Sequence, residues 1–400
     1  MTSALAYRVL QVSDFDPAEL ARIELSGTHH HDAVVERIQR HSMGWSWTHQ
    51  QVFGELGVDC RTVIPASARA RRLAATASSQ VLADRDTPGQ VDGALAYVLE
   101  AVGRLQPQVV FLENPAFLDA AAIARLRALP TPPLLVTHFC AALQPAAEAT
   151  LALHDLVLCC SPHFVARAAA LGATGQLHYH AAPPAALALP LPPLESRLRR
   201  ACFIGSIVPG GRYHDRRQQL LRQVCRSGVP LDLYSVAPRP RLLAAVRRRR
   251  GEGSRLVRGL ERLHRRVAAG SSLQQALRPP VYGAEMFHTM QHHLCALNVH
   301  AGMAAGYAAN MRLFEAAALG VCLISEDHPN LTDLFAPGHE IITYRSAREL
   351  IARLHHCLAH PEETAAIGER ARQRALACHT YRHRVVALHA RVLQLLEGRR

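Results

Sequence analysis

Lysine is absent from this 400-residue chain, so all 45 of its basic residues are arginine. The absence removes two kinds of chemistry. A phosphate-binding loop ending in Gly-Lys-Ser/Thr cannot be built, and neither can a Schiff base to pyridoxal phosphate or to a carbonyl substrate. Anions must be met by guanidinium groups, helix N-termini and backbone amides. A CxxC pair is missing too. The ten cysteines are scattered, mostly through apolar, strand-like runs where a free thiol acts as a small hydrophobe, and this reads as a reduced, cytoplasmic pattern. No apolar run reaches the roughly 18 residues of a membrane span. The opening MTSALAYRVLQVSDFD meets acidic residues too soon for a signal peptide.

What is present is a globular balance, 49% hydrophobic and 19% charged, in a chain long enough for two domains. The net charge of +13 peaks at residues 239–270, RPRLLAAVRRRRGEGSRLVRGLERLHRRVAAG. Such a stretch can meet nucleic acid or anionic lipid. It lacks interleaved aromatics, so it reads first as a solvated helical face and no nucleic-acid partner is expected. Peripheral contact with an anionic membrane stays open.

Short β-type runs alternate with helical patterns throughout, the mark of an α/β chain with parallel sheets wound by helices on both faces. The first half offers YRVLQVS, VDCRTVI, QVVFLE, PLLVTHF, DLVLCCS and QLHYH as strands. A proline-rich connector, AAPPAALALPLPPLESR, follows at 181–197. The pattern then restarts with RACFIGS, LDLYSVA, VYG, CALNVH, VCLISE and EIITY, and the chain is helical from Ser346 onward. The expected division is an N-terminal domain over 1–190, a second over 198–380, and a last helix over 381–400 that packs back on the first.

Ligands of open parallel sheets bind beyond the carboxyl ends of the strands. The segment NMRLFEAAALG at 310–320 supplies a helix there, with Asn310 placed to cap its start and Gly320 just past its end. The helix mouth and Arg312 suit a diphosphate. Glu315 shares a face with Arg312 and has two readings. It can accept hydrogen bonds from a ribose diol, or it can form an intrahelical ion pair worth a few tenths of a kcal/mol.

NMRLFEAAALG, followed by SEDHPNLTDLFAPGHEIITYRSARELI and HPEE…IGERARQRALACHTYRHR, resembles the nucleotide-binding half of glycosyltransferases of the GT-B architecture. More narrowly it is similar to the group called CgeB-like or glycosyl transferases group 1. FIGSIVPGGRYHDRR resembles the first strand and loop of that half. SMGWSWTHQQVFGELG, VVFLENPAFL and VLCCSPHFVARAAALG resemble the acceptor-side half.

The resemblance implies two Rossmann-like domains facing a cleft. It implies a hexosyltransferase-type enzyme that moves sugar from a nucleotide diphosphate sugar to an unidentified acceptor, with no separate cofactor and no metal. Glu315 would hold the ribose, Asn310 and Arg312 the diphosphate or sugar, and Tyr282 and Gly283 would lie near the base. Gly205 and Ser206 would let backbone approach the donor, with Arg212 or Arg217 against phosphate and His214 between them. His300, at the end of CALNVH, points toward the same crevice. Two features depart from the family pattern. Tyr307 stands where related retaining enzymes carry a second glutamate, eight residues before Glu315, and the usual lysine is missing.

No residue is fixed as the catalytic base. His29, His30, His31 and Asp32 follow the first strand, and His138 ends another; of these His31 and His138 are the candidates taken forward. Adjacent histidines at 29–31 cannot all aim at one metal ion. Two alternatives stay open. One is a nucleotide-sugar epimerase or hydrolase of the same fold, the other a non-catalytic basic protein that binds nucleic acid or anionic membrane.

Overall fold

The computed structural model describes residues 7–15, 20–21, 23–42, 45–77, 90–207, 215–235, 272–300 and 302–399. The basic stretch 239–270 and the candidates Arg212 and His214 lie outside these. The chain forms two compact units, Met1–Pro184 together with Thr380–Arg400, and Ala185–His379.

The N-terminal unit is built on six parallel strands, β1 (Arg8–Val12), β2 (Asp59–Val63), β3 (Val109–Leu112), β4 (Leu134–Phe139), β5 (Leu156–Cys159) and β6 (Gly175–Leu177), in the order β2-β1-β3-β4-β5-β6. Strands β3, β4 and β5 are buried along their whole length. Their near-continuous apolar sequences follow from helices covering both faces of a parallel sheet. On one face the last helix, Tyr381–Glu397, places Val385, Leu388 and Val392 in a core with Val9, Phe53, Val109 and Leu134. Its start is fixed by a capping box, Thr380 with His383.

The second unit has β7 (Leu198–Ile204), β8 (Leu231–Tyr234), β9 (Leu277–Arg278), β10 (His293–Asn298), β11 (Cys322–Glu326) and β12 (Ile342–Tyr344). Read from the far edge, the order is β9-β8-β7-β10-β11-β12 and every pairing is parallel. This is the Rossmann order, in which chain connections leave in opposite directions from the two central strands, here β7 and β10. The α/β class and the doubly wound organisation are therefore those read from the sequence. One element differs. VYG is not a strand, because Tyr282 precedes the Gly283–Gln291 helix. The edge strand is the two-residue β9 before it, too short to show alternation and ended by Pro279 and Pro280. Among the described residues no helix is long and apolar enough to cross a membrane.

The Arg312–Ala318 helix is held from behind by arginines. Arg372 donates to Ala318 O and, at 2.6 Å, to Leu187 O, while Arg197 donates to Gly320 O at 3.1 Å. These cations meet the carbonyl end of the helix, where the macrodipole favours them. The Pro361–Cys378 helix packs closely on the same turn, through Gly368. A Cβ there would fall 2.4 Å from Gly320 O and 2.8 Å from Cys322 N, both backbone atoms that cannot swing aside. Gly368→Ala should lower the melting temperature by the equivalent of about 1–3 kcal/mol, as overpacking does. Gly54→Ala, where the added carbon meets nothing within 4 Å, should leave it unchanged or raise it. Differential scanning calorimetry of the two variants checks this, and equal stability of Gly368→Ala and the parent would refute the packing account.

Candidate functional site

Beyond β7 the chain turns through Gly205 and Ser206. A side chain at 205 would press on the Phe203 ring, with a Cβ 3.2 Å from its Cζ. Arg217, in the Asp215–Arg226 helix, reaches back into this turn and is nearly buried. It donates to Ser206 O at 3.0 Å and to Val299 O at 2.7 Å, joining the end of β7 to the end of β10. Its guanidinium also lies over the Phe203 ring. Burial lowers its pKa, Tyr344 and Glu326 oppose that, and Arg312 adds repulsion. Arg217 thus brings charge to the switch point while its hydrogen bonds to Ser206 and Val299 go to the scaffold.

At the end of β10, Asn298 is the centre of a buried polar chain. Its Nδ2 lies 3.0 Å from His300 Nε2 and 3.0 Å from Ser325 Oγ, and its Oδ1 accepts from Asn310 Nδ2 at 2.5 Å. Tyr344 OH donates to Asn298 O at 3.0 Å. His300 also lies edge-on to His328. Burial, then the neighbouring His328 and Arg217, push His300 down to about 3, so it is neutral at physiological pH and serves as a hydrogen-bonding group.

The expected cap at Asn310 is corrected by the structure. The helix begins at Arg312, its N-cap is Met311 in helical conformation, and no side chain caps it. Asn310 instead uses its amide nitrogen to fasten this loop to Asn298. The loop is also pinned by Asn330, whose side chain exchanges two 2.8 Å bonds with the Ala308 backbone. A helix of seven residues adds only a small dipole, so the positive charge here belongs to the arginines. Both Asn310 Oδ1 and Arg312 Nε are buried without a hydrogen-bond partner among the described residues.

Glu315 is buried, and its Oε2 accepts from Arg312 Nη1 at 2.5 Å. The same Nη1 is 3.1 Å from Met286 Sδ on the Gly283–Gln291 helix. That contact brings the Tyr282–Gly283 turn, with Gly283 at φ +52°, to the side of Arg312. The intrahelical ion pair read from the spacing is therefore formed, and it is formed inside the unit rather than on its surface.

Several residues of this constellation had not been singled out from sequence. Asn298, Ser325, Glu326 and His328 follow or end β10 and β11. Glu326 is buried, contacts the exposed Arg216 and lies 3.8 Å from His328. A reading that took the polar residues at the carboxyl ends of adjacent buried strands as one set would have found them.

The two catalytic candidates lie in the N-terminal unit, and the structure does not bring them together. His31 opens the His31–Ser42 helix, bonded to Asp32 at 2.8 Å and to Tyr97 OH, and lines a cavity of about 730 Å³ with His30, Asp32 and Glu36. His138 is buried in a ring cluster with Phe111, His178 and His180. Burial, then His178 and His180, hold it well below the ordinary histidine range, which makes it a poor proton acceptor.

At the β1/β3 switch point of the same unit, Glu113 accepts from Asp14 N at 2.8 Å, Ser13 Oγ at 2.9 Å and Gln11 Nε2 at 3.2 Å. Asn114 ties Asp14 beside it at 2.9 Å. Burial lifts Glu113 to about 8, against the lowering effect of the Asp14 N–H and Ser13 bonds, and the Asp14 charge adds to the rise.

Residues 239–390 match the sequence model of a family described as glycosyl transferase-like. No curated protein matches the chain. Solved structures share the whole fold. A glycosyltransferase from Rickettsia africae superposes with a TM-score of 0.60 at 10% identity, covering 97% of this chain and 99% of its own. Anabaena HepE, in complex with UDP and glucose, gives 0.56 at 11% identity over 98% and 100%. Sucrose-phosphate synthase from Thermosynechococcus elongatus gives 0.55 at 12% over 98% and 100%. The class defined by the two sheets is the GT-B fold of glycosyltransferases. Within it, the chain carries the glycosyl transferase-like signature across the segment that contains Asn310, Arg312 and Glu315.

The buried histidines set an acid limit on stability. His49 is pushed down to about 3 by burial and by His138, and His300 to about 3. An unfolded chain binds protons at both as pH falls below about 6.5, whereas the folded chain does not until near 3. Above pH 7 these two histidines contribute no slope, and each should remove about 1.4 kcal/mol of stability per pH unit between 6.5 and 3. Urea titrations across that range measure it, and in His300→Gln the slope should lose one group's share.

Proposed function

We propose that the protein transfers a glycosyl group from a nucleotide diphosphate sugar to an acceptor. The observation that carries this reading is the set Arg217, Arg312, Asn310 and Glu315 at the carboxyl end of the second sheet, where cations gather beside a buried carboxylate and two buried polar atoms wait for partners. Glu315 accepts the ribose hydroxyls, keeping one oxygen on Arg312. Arg312 and Arg217 offset the diphosphate charge, and Asn310 Oδ1 accepts a hydroxyl. The Tyr282–Gly283 turn lies toward the base. Departure of the nucleoside diphosphate is assisted electrostatically by guanidinium groups, with no metal required. HepE, which shares the fold, is described in complex with UDP and glucose; this supports a uridine donor as the first to test.

Thermal-shift screening against uridine, guanosine, thymidine and adenosine diphosphates should find at least one that raises the melting temperature. The shift should vanish in Glu315→Ala, and transfer should fall tenfold to several hundredfold, about 1.4–3.5 kcal/mol. Absence of a shift with all four would sink the donor assignment. Donor turnover that runs equally fast without any acceptor would replace transfer by hydrolysis or epimerisation.

For the acceptor we propose Glu113 as the group that takes the hydroxyl proton. Transfer should then rise with pH up to and through about 8, as the carboxyl loses its proton. Glu113→Gln should abolish that dependence and most turnover while leaving the nucleotide-induced thermal shift intact. An unchanged pH profile in the variant would remove Glu113 from the chemistry.

A further inference from the structure

We propose that Cys140, Cys160 and His180 form a binding site for a thiophilic transition metal, Zn²⁺ being the best fit. The three strands β4, β5 and β6 are neighbours in one parallel sheet. Phe139 pairs with Cys159, and Cys159 with Leu177. Cys140 and Cys160 are the next residues along, so the register sets the two thiols side by side at the carboxyl ends of the strands. His180 follows three residues after Leu177. The Sγ atoms of the two cysteines and a ring nitrogen of His180 all lie within 4.8 Å of one another. Tetrahedral Zn²⁺, with bonds of about 2.3 Å to sulfur and 2.0–2.1 Å to nitrogen, needs donors about 3.5–3.8 Å apart. Small side-chain rotations close the difference.

The surroundings favour a metal over three unrelated packing residues. Cys160 is fully buried, and Cys140 and His180 are partly so. Two thiolates placed together there are costly unless a cation neutralises them, and Zn²⁺ does so with a neutral imidazole as third ligand. His138 Nδ1 lies 3.3 Å from Cys140 Sγ. With Nδ1 protonated it donates to that sulfur and orients it, which is the usual part of an outer-shell histidine. His138 is thus a positioning residue. The backbone bearing the third ligand is held by Arg384, which donates to Tyr179 O at 3.0 Å and to His180 O at 3.4 Å. Three protein ligands leave a fourth position for water or an added donor. The site belongs to the N-terminal unit and does not rest on the donor reading.

A second group, His356, His360 and Glu363, also meets the geometric requirement but is exposed and contains no sulfur. Metal held there would give no sulfur signature, so the measurement must report sulfur ligation. Untagged, full-length protein, kept reduced, is titrated with Co²⁺ while the thiolate-to-cobalt charge-transfer absorption is followed, and Zn²⁺ is then added to displace it. We expect one thiolate-ligated equivalent per chain. Cys140→Ser should lose the band, as should Cys160→Ser and His180→Gln where they fold. Cys225→Ser, in the other unit, should keep it. His138→Ala should bind cobalt about 10–100-fold more weakly with the band retained, the effect of a lost outer-shell partner. Zn²⁺ should raise the melting temperature of the parent and not of Cys140→Ser. The proposal is overturned if the reduced protein shows no band, if the band survives Cys140→Ser, or if the two thiols form only a disulfide and take up no metal after reduction.

Discussion

The guanidinium of Arg217 occupies the one place where the second sheet must come apart. Beyond β7 and β10 the two connections leave in opposite directions, and each exposes a backbone carbonyl, Ser206 O and Val299 O. Arg217 takes both. Without it the opening would have to close or fill with water, since a buried carbonyl without a donor is costly. Lysine would serve less well, because a compact ammonium lacks the planar fork that spans two fixed acceptors. The charge at this opening belongs to that one bridge, and Val299, which it holds, is the residue between Asn298 and His300.

Around it the polar side chains form a graded series. Those closest to the sheet, Asn298, Ser325 and His300, spend their capacity on one another and set the loop geometry. Further out, Asn310 and Arg312 each have one buried atom without a hydrogen-bond partner among the described residues. Glu315 is paired with Arg312. Buried polar networks are rigid when satisfied; this one is closed at Asn298, Ser325 and His300 and, among the described residues, left incomplete at Asn310 and Arg312.

Much of the fold was legible because the forces that make it are periodic. Strands buried on both faces, such as LLVTHF and CALN, read as continuous apolar runs, and the proline-rich connector interrupts them. The order of the strands was not legible. Nothing in Leu277–Arg278 announces an edge strand, and only pairing partners define one. At the site, the Arg312–Glu315 spacing revealed the ion pair but not its burial. Asn310 shows the limit of local rules: its residue type suits a cap, yet a long-range bond to Asn298 proved the better partner and the helix starts two residues later. Glu113 escaped notice because a single carboxylate after an apolar strand looks like any strand end until Gln11 and Ser13 arrive from a hundred residues away.

The helix Tyr381–Glu397 completes the core of the N-terminal unit from the far end of the chain. During synthesis the first 184 residues emerge with the β1, β2 and β3 surface that receives Val385, Leu388 and Val392 still uncovered. The contiguous Ala185–His379 unit can close while the first waits, and the earlier-made half then finishes last. Such a chain carries an exposed apolar face for most of its time on the ribosome, a natural point of engagement for chaperones.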